Sequence, residues 1–140
     1  MNEKLDIVKK WIESGDHDLG TAHLIFQYIP RYRDTIAFHC QQAVEKYLKG
    51  YLFFLGIKFK RSHDLNYLLS LISQKEKVSD EMFDKSAELE DFSVEIRYPD
   101  TTFELTNDDI NVSLSISRLF RDFVLSRMNL TIDYETIIKE

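Results

Sequence analysis

Residues 36–55 constrain the fold more than any other stretch. They read Ile-Ala-Phe-His-Cys-Gln-Gln-Ala-Val-Glu-Lys-Tyr-Leu-Lys-Gly-Tyr-Leu-Phe-Phe-Leu, apolar or aromatic on most sides of a helix. A helix this greasy cannot lie on a surface and has to be the central rod of a bundle. One narrow polar line interrupts it. His39, Gln42, Lys46 and Lys49 are spaced three, four and three apart and so share a face, with Glu45 beside them. Each such group buried without a partner costs about 1–3 kcal/mol. The line must therefore open onto a shared surface or serve a site.

Four more helices can be laid around that rod. In the first, Leu5, Val8, Ile12, Gly15, Leu19, Ala22, Phe26 and Ile29 form one seam at alternating spacings of three and four. Gly15 and Ala22 leave room for a close neighbour, and Pro30 ends the helix. The central helix runs from about Asp34 to Leu55 and stops at Gly56. Ser62 or Asp64 can cap a short third helix with Leu65, Leu68, Leu69 and Ile72 turned inward. After the polar connection 73–78, Ser79-Asp80-Glu81 starts a fourth, with Met82, Leu89 and Phe92 on its core side.

Arg97-Tyr98-Pro99-Asp100 breaks that helix, and Thr106-Asn107-Asp108-Asp109 opens a fifth that reaches about Met128. Here the pattern cuts both ways. Ile110, Val112, Leu114 and Ile116 alternate with polar residues, as in a strand. The cap, the further apolar spacing at Leu119, Phe120 and Phe123, and the lack of a hairpin partner favour helix. The expectation is an all-α, up-and-down bundle of about five helices over residues 1–128, with a C-terminal tail at 129–140.

Ten Phe and seven Tyr against four Gly and two Pro agree with long helices, and 140 residues suit one domain. The single cysteine, Cys40, has no intramolecular partner, which fits a reducing cytoplasm. No apolar run opens the N-terminus, so no secretory signal is expected. The longest apolar stretch, Tyr47–Ile57, contains Lys49 and is too short to span a bilayer. A net charge of −6 excludes nucleic-acid binding by overall attraction and leaves only local basic patches. The strongest is Lys58, Lys60 and Arg61, just ahead of Ser62-His63-Asp64.

Several chemistries can be weighed at these positions. Lys46 and Lys49 can act as point charges for a phosphate, with His39 and Gln42 orienting a ligand and Glu45 fixing Lys49. The plain alternative is a Glu45–Lys49 ion pair on a solvated edge, worth a few tenths of a kcal/mol. His63 belongs to the basic loop, while Asp64 suits a helix cap. Arg97, beside Tyr98, can clamp a phosphate or pair with Glu95 or Asp100. A di-iron bundle needs Glu-x-x-His pairs, and none occurs. His39 and Cys40 are adjacent on a helix, so they diverge and cannot act as base and nucleophile. The order His39, His63-Asp64, Asp108 matches that of an HD-type metal phosphohydrolase and is a minor alternative.

The string Phe38–Lys49, then Ser62-His63-Asp64-Leu65 and Arg97-Tyr98-Pro99, resembles the HEPN domain of prokaryotes over roughly residues 5–128, and Asp18-Leu19 also fits. The resemblance implies a five-helix bundle, commonly a homodimer, often paired with a minimal nucleotidyltransferase in toxin–antitoxin or defence systems, and associated with nucleotide binding. It implies no cofactor. Many relatives are metal-independent ribonuclease toxins that carry a late Arg-x4–6-His motif. Here Arg97 stands at the expected place, but Thr101, Thr102 and Phe103 lie where the histidine should be. The departure favours a module that binds a nucleotide, an RNA or a partner over a ribonuclease. His39 and Arg97 are then the weak catalytic candidates, and a purely structural dimerisation module is the last alternative.

Overall fold

A computed structural model describes residues 2–93 and 104–134. It contains α1 (Asn2–Tyr28), α2 (Arg33–Leu55), α3 (Leu65–Ile72), α4 (Asp80–Phe92) and α5 (Asn107–Met128). There is no strand among the described residues. α2 packs against each of the other four helices, most extensively against α1 and then α5. It is the central rod that its composition demanded. Ile36, Ala37, Cys40, Ala43, Val44, Tyr47, Leu48, Tyr51 and Leu52 are all fully buried.

The α1 seam holds through its middle. Val8, Ile12, Leu19 and Ala22 are fully buried, while Leu5, Phe26 and Ile29 at the ends are half-buried. The two long helices interlock through glycines. A Cβ on Gly15 would stand 2.5 Å from Cε1 of Tyr47 and 3.1 Å from the Ala43 carbonyl oxygen. One on Gly50 would stand 2.9 Å from Cβ of Trp11. Each helix thus supplies a bare backbone patch for an aromatic residue of the other, which brings the axes close.

The helix ends follow local chemistry. α1 stops at Tyr28, ahead of Pro30. α2 closes on Gly56 at φ 73°, a left-handed conformation that glycine adopts without strain. Of the two candidate caps for α3, Asp64 does the capping, accepting from the Tyr67 N–H, and Ser62 in turn accepts from the Asp64 N–H. Ser79 caps α4.

The strand-like alternation in α5 turns out to be helical. Thr106 and Asp109 close a reciprocal capping box. Ser113 and Ser117 bury their hydroxyls by donating to the carbonyls of Asp109 and Ser113, each at 2.9 Å. Small hydroxyl residues can therefore occupy core positions, which is why the alternation misleads. Beyond Met128, Ile132 and Tyr134 turn back onto the bundle. Arg121 donates to the Ile132 carbonyl at 3.0 Å, and its guanidinium lies 3.9 Å from the centre of the Tyr134 ring. The break at Arg97-Tyr98-Pro99 lies outside the described residues.

Candidate functional site

The polar line of α2 resolves into two clusters, each centred on one carboxylate. Asp18 of α1 accepts from Nδ1 of His39 at 2.8 Å and from Nζ of Lys46 at 2.5 Å, one bond to each oxygen. Glu45 accepts from Nζ of Lys49 and from Nδ1 of His63, both at 2.8 Å and again one per oxygen. An ionised carboxylate only accepts, so both imidazoles donate from Nδ1. Gln42, on the same helix, is half-buried.

The clusters differ in burial. Lys46 and His39 keep about a quarter of their side chains exposed, 27% and 26%. Glu45 and Lys49 are buried at 5% and 7%, so their bond is not the solvated edge pair that i,i+4 spacing alone suggests. The loop before α3 is tethered beside it, with the His63 side chain 74% exposed. Gln41 donates to the His63 carbonyl at 3.1 Å and accepts from the Ser93 hydroxyl, tying that loop and the end of α4 to α2. Buried this way, the pair becomes costly to break from one side, about 3–5 kcal/mol.

A third network was not foreseen from the sequence. Asp16 accepts from the Tyr47 hydroxyl at 2.6 Å and from Nε and Nη2 of Arg121 at 2.7 and 2.9 Å. Burial opposes the Arg121 charge, but the bonds and charge of Asp16 outweigh it and raise the guanidinium further. Burial, then Asp16, pushes the Tyr47 hydroxyl far above its ordinary value. A signal did exist, since Arg121 follows Phe120 and Ser117 on the core side of α5 and Asp16 adjoins Gly15 on the α1 seam. A fourth contact joins His23 to Arg118, whose Nη1–H donates to Nε2 at 2.9 Å. Burial first, then Arg118, lowers the His23 imidazole, so it is the neutral acceptor.

Of the residues expected from the sequence, His39 and Lys46 meet at Asp18, and Glu45, Lys49 and His63 meet together. Arg97 and Tyr98 lie outside the described residues. Asp18, which the sequence offers only through the resemblance, is the hub that joins His39 to Lys46. Cys40 is fully buried, and burial pushes its thiol up to about 12, which removes it as a nucleophile. Among the described residues, no three His, Cys, Asp or Glu side chains group as metal ligands. The metal phosphohydrolase reading fails on that point, because His39, His63, Asp64 and Asp108 do not converge and Asp64 is spent as a cap. No described helix is long and apolar enough to cross a membrane.

The model of the HEPN domain matches residues 8–128. The chain belongs to the HEPN family. Among solved structures, the archaeal HEPN homologue ST0689 is 25% identical with a TM-score of 0.69, covering 86% of this chain and 97% of that one. TT1696 from Thermus thermophilus is 21% identical with a TM-score of 0.74 at the same coverages, a likeness of fold. A search of curated proteins returned no match. The HEPN strings now have physical content in this chain. Within residues 38–49, Ala43 offers its backbone to Gly15, while His39, Glu45, Lys46 and Lys49 build the two clusters. Ser62-His63-Asp64-Leu65 start α3, brace Glu45 and add a core leucine.

Proposed function

We propose that this HEPN protein binds a phosphate-bearing ligand of the nucleotide class along the outer face of α2. The observation that carries the reading is the paired arrangement at Asp18 and Glu45, where one carboxylate orients both a histidine and a lysine. Orientation by fixed hydrogen bonds removes ordering cost at the moment of binding. Lys46 spends one of its three donors on Asp18 and keeps two for a ligand. The exposed Lys58, Lys60 and Arg61 add positive potential in an otherwise acidic chain. The family's pairing habits, a homodimer and a nucleotidyltransferase partner, are read onto the same face, where Phe38 stands 39% exposed beside His39.

The test is titration of ATP, GTP and short RNAs by calorimetry and thermal shift. Losing a charge-assisted bond should weaken binding by about ten- to a hundredfold in Lys46→Ala. Absence of binding by all three ligand types sinks the reading.

One observation favours a second reading, metal-independent RNA cleavage. His39 and His63 both have Nδ1 held by a carboxylate, the state in which Nε2 can take or give a proton at a ribose hydroxyl or leaving oxygen. Cleavage of labelled RNA by the wild type, lost in His39→Ala and His63→Ala, would support it. An inert wild-type protein would end it.

A further inference from the structure

Lys49 ends the polar row of α2. Its ammonium lies 2.8 Å from Glu45 and also 6.0 Å from the centre of the Phe59 ring. Phe59 belongs to a separate cleft of about 650 Å³ between the start of α1 and the end of α2. The walls of that cleft are apolar, formed by Ile7, Phe53, Ile57 and Phe59. Lys4 and Lys58 stand on its rim against one carboxylate, Glu3, so the rim is net positive. Its size falls in the range of small-molecule sites. Buried Lys49 thus lies behind an aromatic cleft that has its own cationic rim.

We infer that this cleft is a nucleobase subsite, receiving the base of a nucleotide whose phosphate meets the cationic rim of Lys4 and Lys58. The inference rests on the proposed phosphate binding and adds what recognises the rest of the molecule. Every nucleobase has an apolar π-face, and aromatic walls beside cations are the chemistry that holds one without reading its edge. An aliphatic peptide would fill the apolar walls but would leave the lysine rim without a counter-charge. A nucleoside phosphate satisfies both. The source of that chemistry, a free nucleotide or the end of an RNA strand, is left for the experiment to separate.

The chain carries a built-in reporter. Its single tryptophan, Trp11, meets Phe59 edge-on with ring centres 6.5 Å apart. Tryptophan fluorescence and calorimetry would be followed while adenosine monophosphate, ribose 5-phosphate, inorganic pyrophosphate and a six-residue oligoadenylate are titrated. Adenosine monophosphate should shift the Trp11 signal and bind about tenfold or more tighter than ribose 5-phosphate, the usual worth of one stacked base. Tighter binding of the oligoadenylate supports the subsite and marks a strand as its source; equal binding supports it and marks the free nucleotide.

Phe59→Ala should erase the advantage of the base while leaving pyrophosphate binding unchanged. The exposed rim variant Lys58→Glu should weaken adenosine monophosphate without lowering the melting temperature. Equal affinities for adenosine monophosphate and ribose 5-phosphate would overturn the base subsite and leave phosphate binding standing. No binding by any probe would overturn both. A Trp11 shift that follows protein concentration alone would assign the cleft to a second copy of the chain and also overturn the inference.

Discussion

Replacing Asp16 by Asn tests whether the third network holds α1, α2 and α5 together. The substitution keeps the shape of the side chain and removes its charge. Asn Oδ1 can still accept from the Tyr47 hydroxyl and Nε of Arg121, but the amide NH₂ then faces Nη2, donor against donor. Arg121 is 2% exposed, so its charge would stay buried without a counter-ion. Breaking a buried pair from one side costs about 3–5 kcal/mol. The Ile132 carbonyl and the Tyr134 ring still contact the guanidinium, which points to the lower end, about 3 kcal/mol. With a urea slope of about 2 kcal/mol/M, the unfolding midpoint should fall by about 1.5 M. Tyr47→Phe removes one donor and leaves the ion pair intact, so it should cost only about 1.5 kcal/mol. Asp16→Asn combined with Arg121→Met should be more stable than Asp16→Asn alone, because no orphaned charge remains. A single-mutant cost under about 1 kcal/mol, or strict additivity in the double mutant, would refute the reasoning.

Three further outcomes follow from the same structure. Burial and Arg118 keep His23 neutral when folded, so the unfolded chain takes up a proton that the folded chain refuses. Stability should therefore drop as pH falls below about 6.5, the ordinary histidine value, and His23→Gln, which still accepts from Arg118, should flatten that slope in urea melts between about pH 7 and 5. An unchanged slope would contradict the assignment. Gly15→Ala gains helix propensity but drives a methyl into the buried Tyr47 ring and the Ala43 carbonyl, for a net loss of about 1–3 kcal/mol by urea unfolding; a stabilised variant would show that the helices separate easily. Cys40, buried and with its thiol raised to about 12, should resist a maleimide or disulfide reagent at pH 8 until urea unfolds the chain. Rapid labelling of the folded protein would count against that burial.

Local chemistry settled a great deal from sequence alone. Helix limits at Pro30, Gly56, Asp64, Ser79 and Thr106 rest on φ preferences and side-chain capping, which act over four residues and need no tertiary partner. The α1 seam and the centrality of α2 follow from periodicity and from how much apolar surface must leave water. The alternating stretch 110–116 remained ambiguous, because only the buried serine hydroxyls returning to their own helix reveal why polar residues sit inward.

What tertiary structure alone decided is which charges meet. His39 and Lys46 were placed on one face by helical spacing, but Asp18, which joins them, arrives from another helix. Glu45–Lys49 was legible as a pair, yet its burial and its third partner, His63, which arrives from the loop before α3, were not. Asp16 and Arg121 are separated by most of the chain. Capping and periodicity are short-range and written in neighbouring residues. The strength of an ion pair depends on distance and on exclusion of water, and both are set only when remote segments pack.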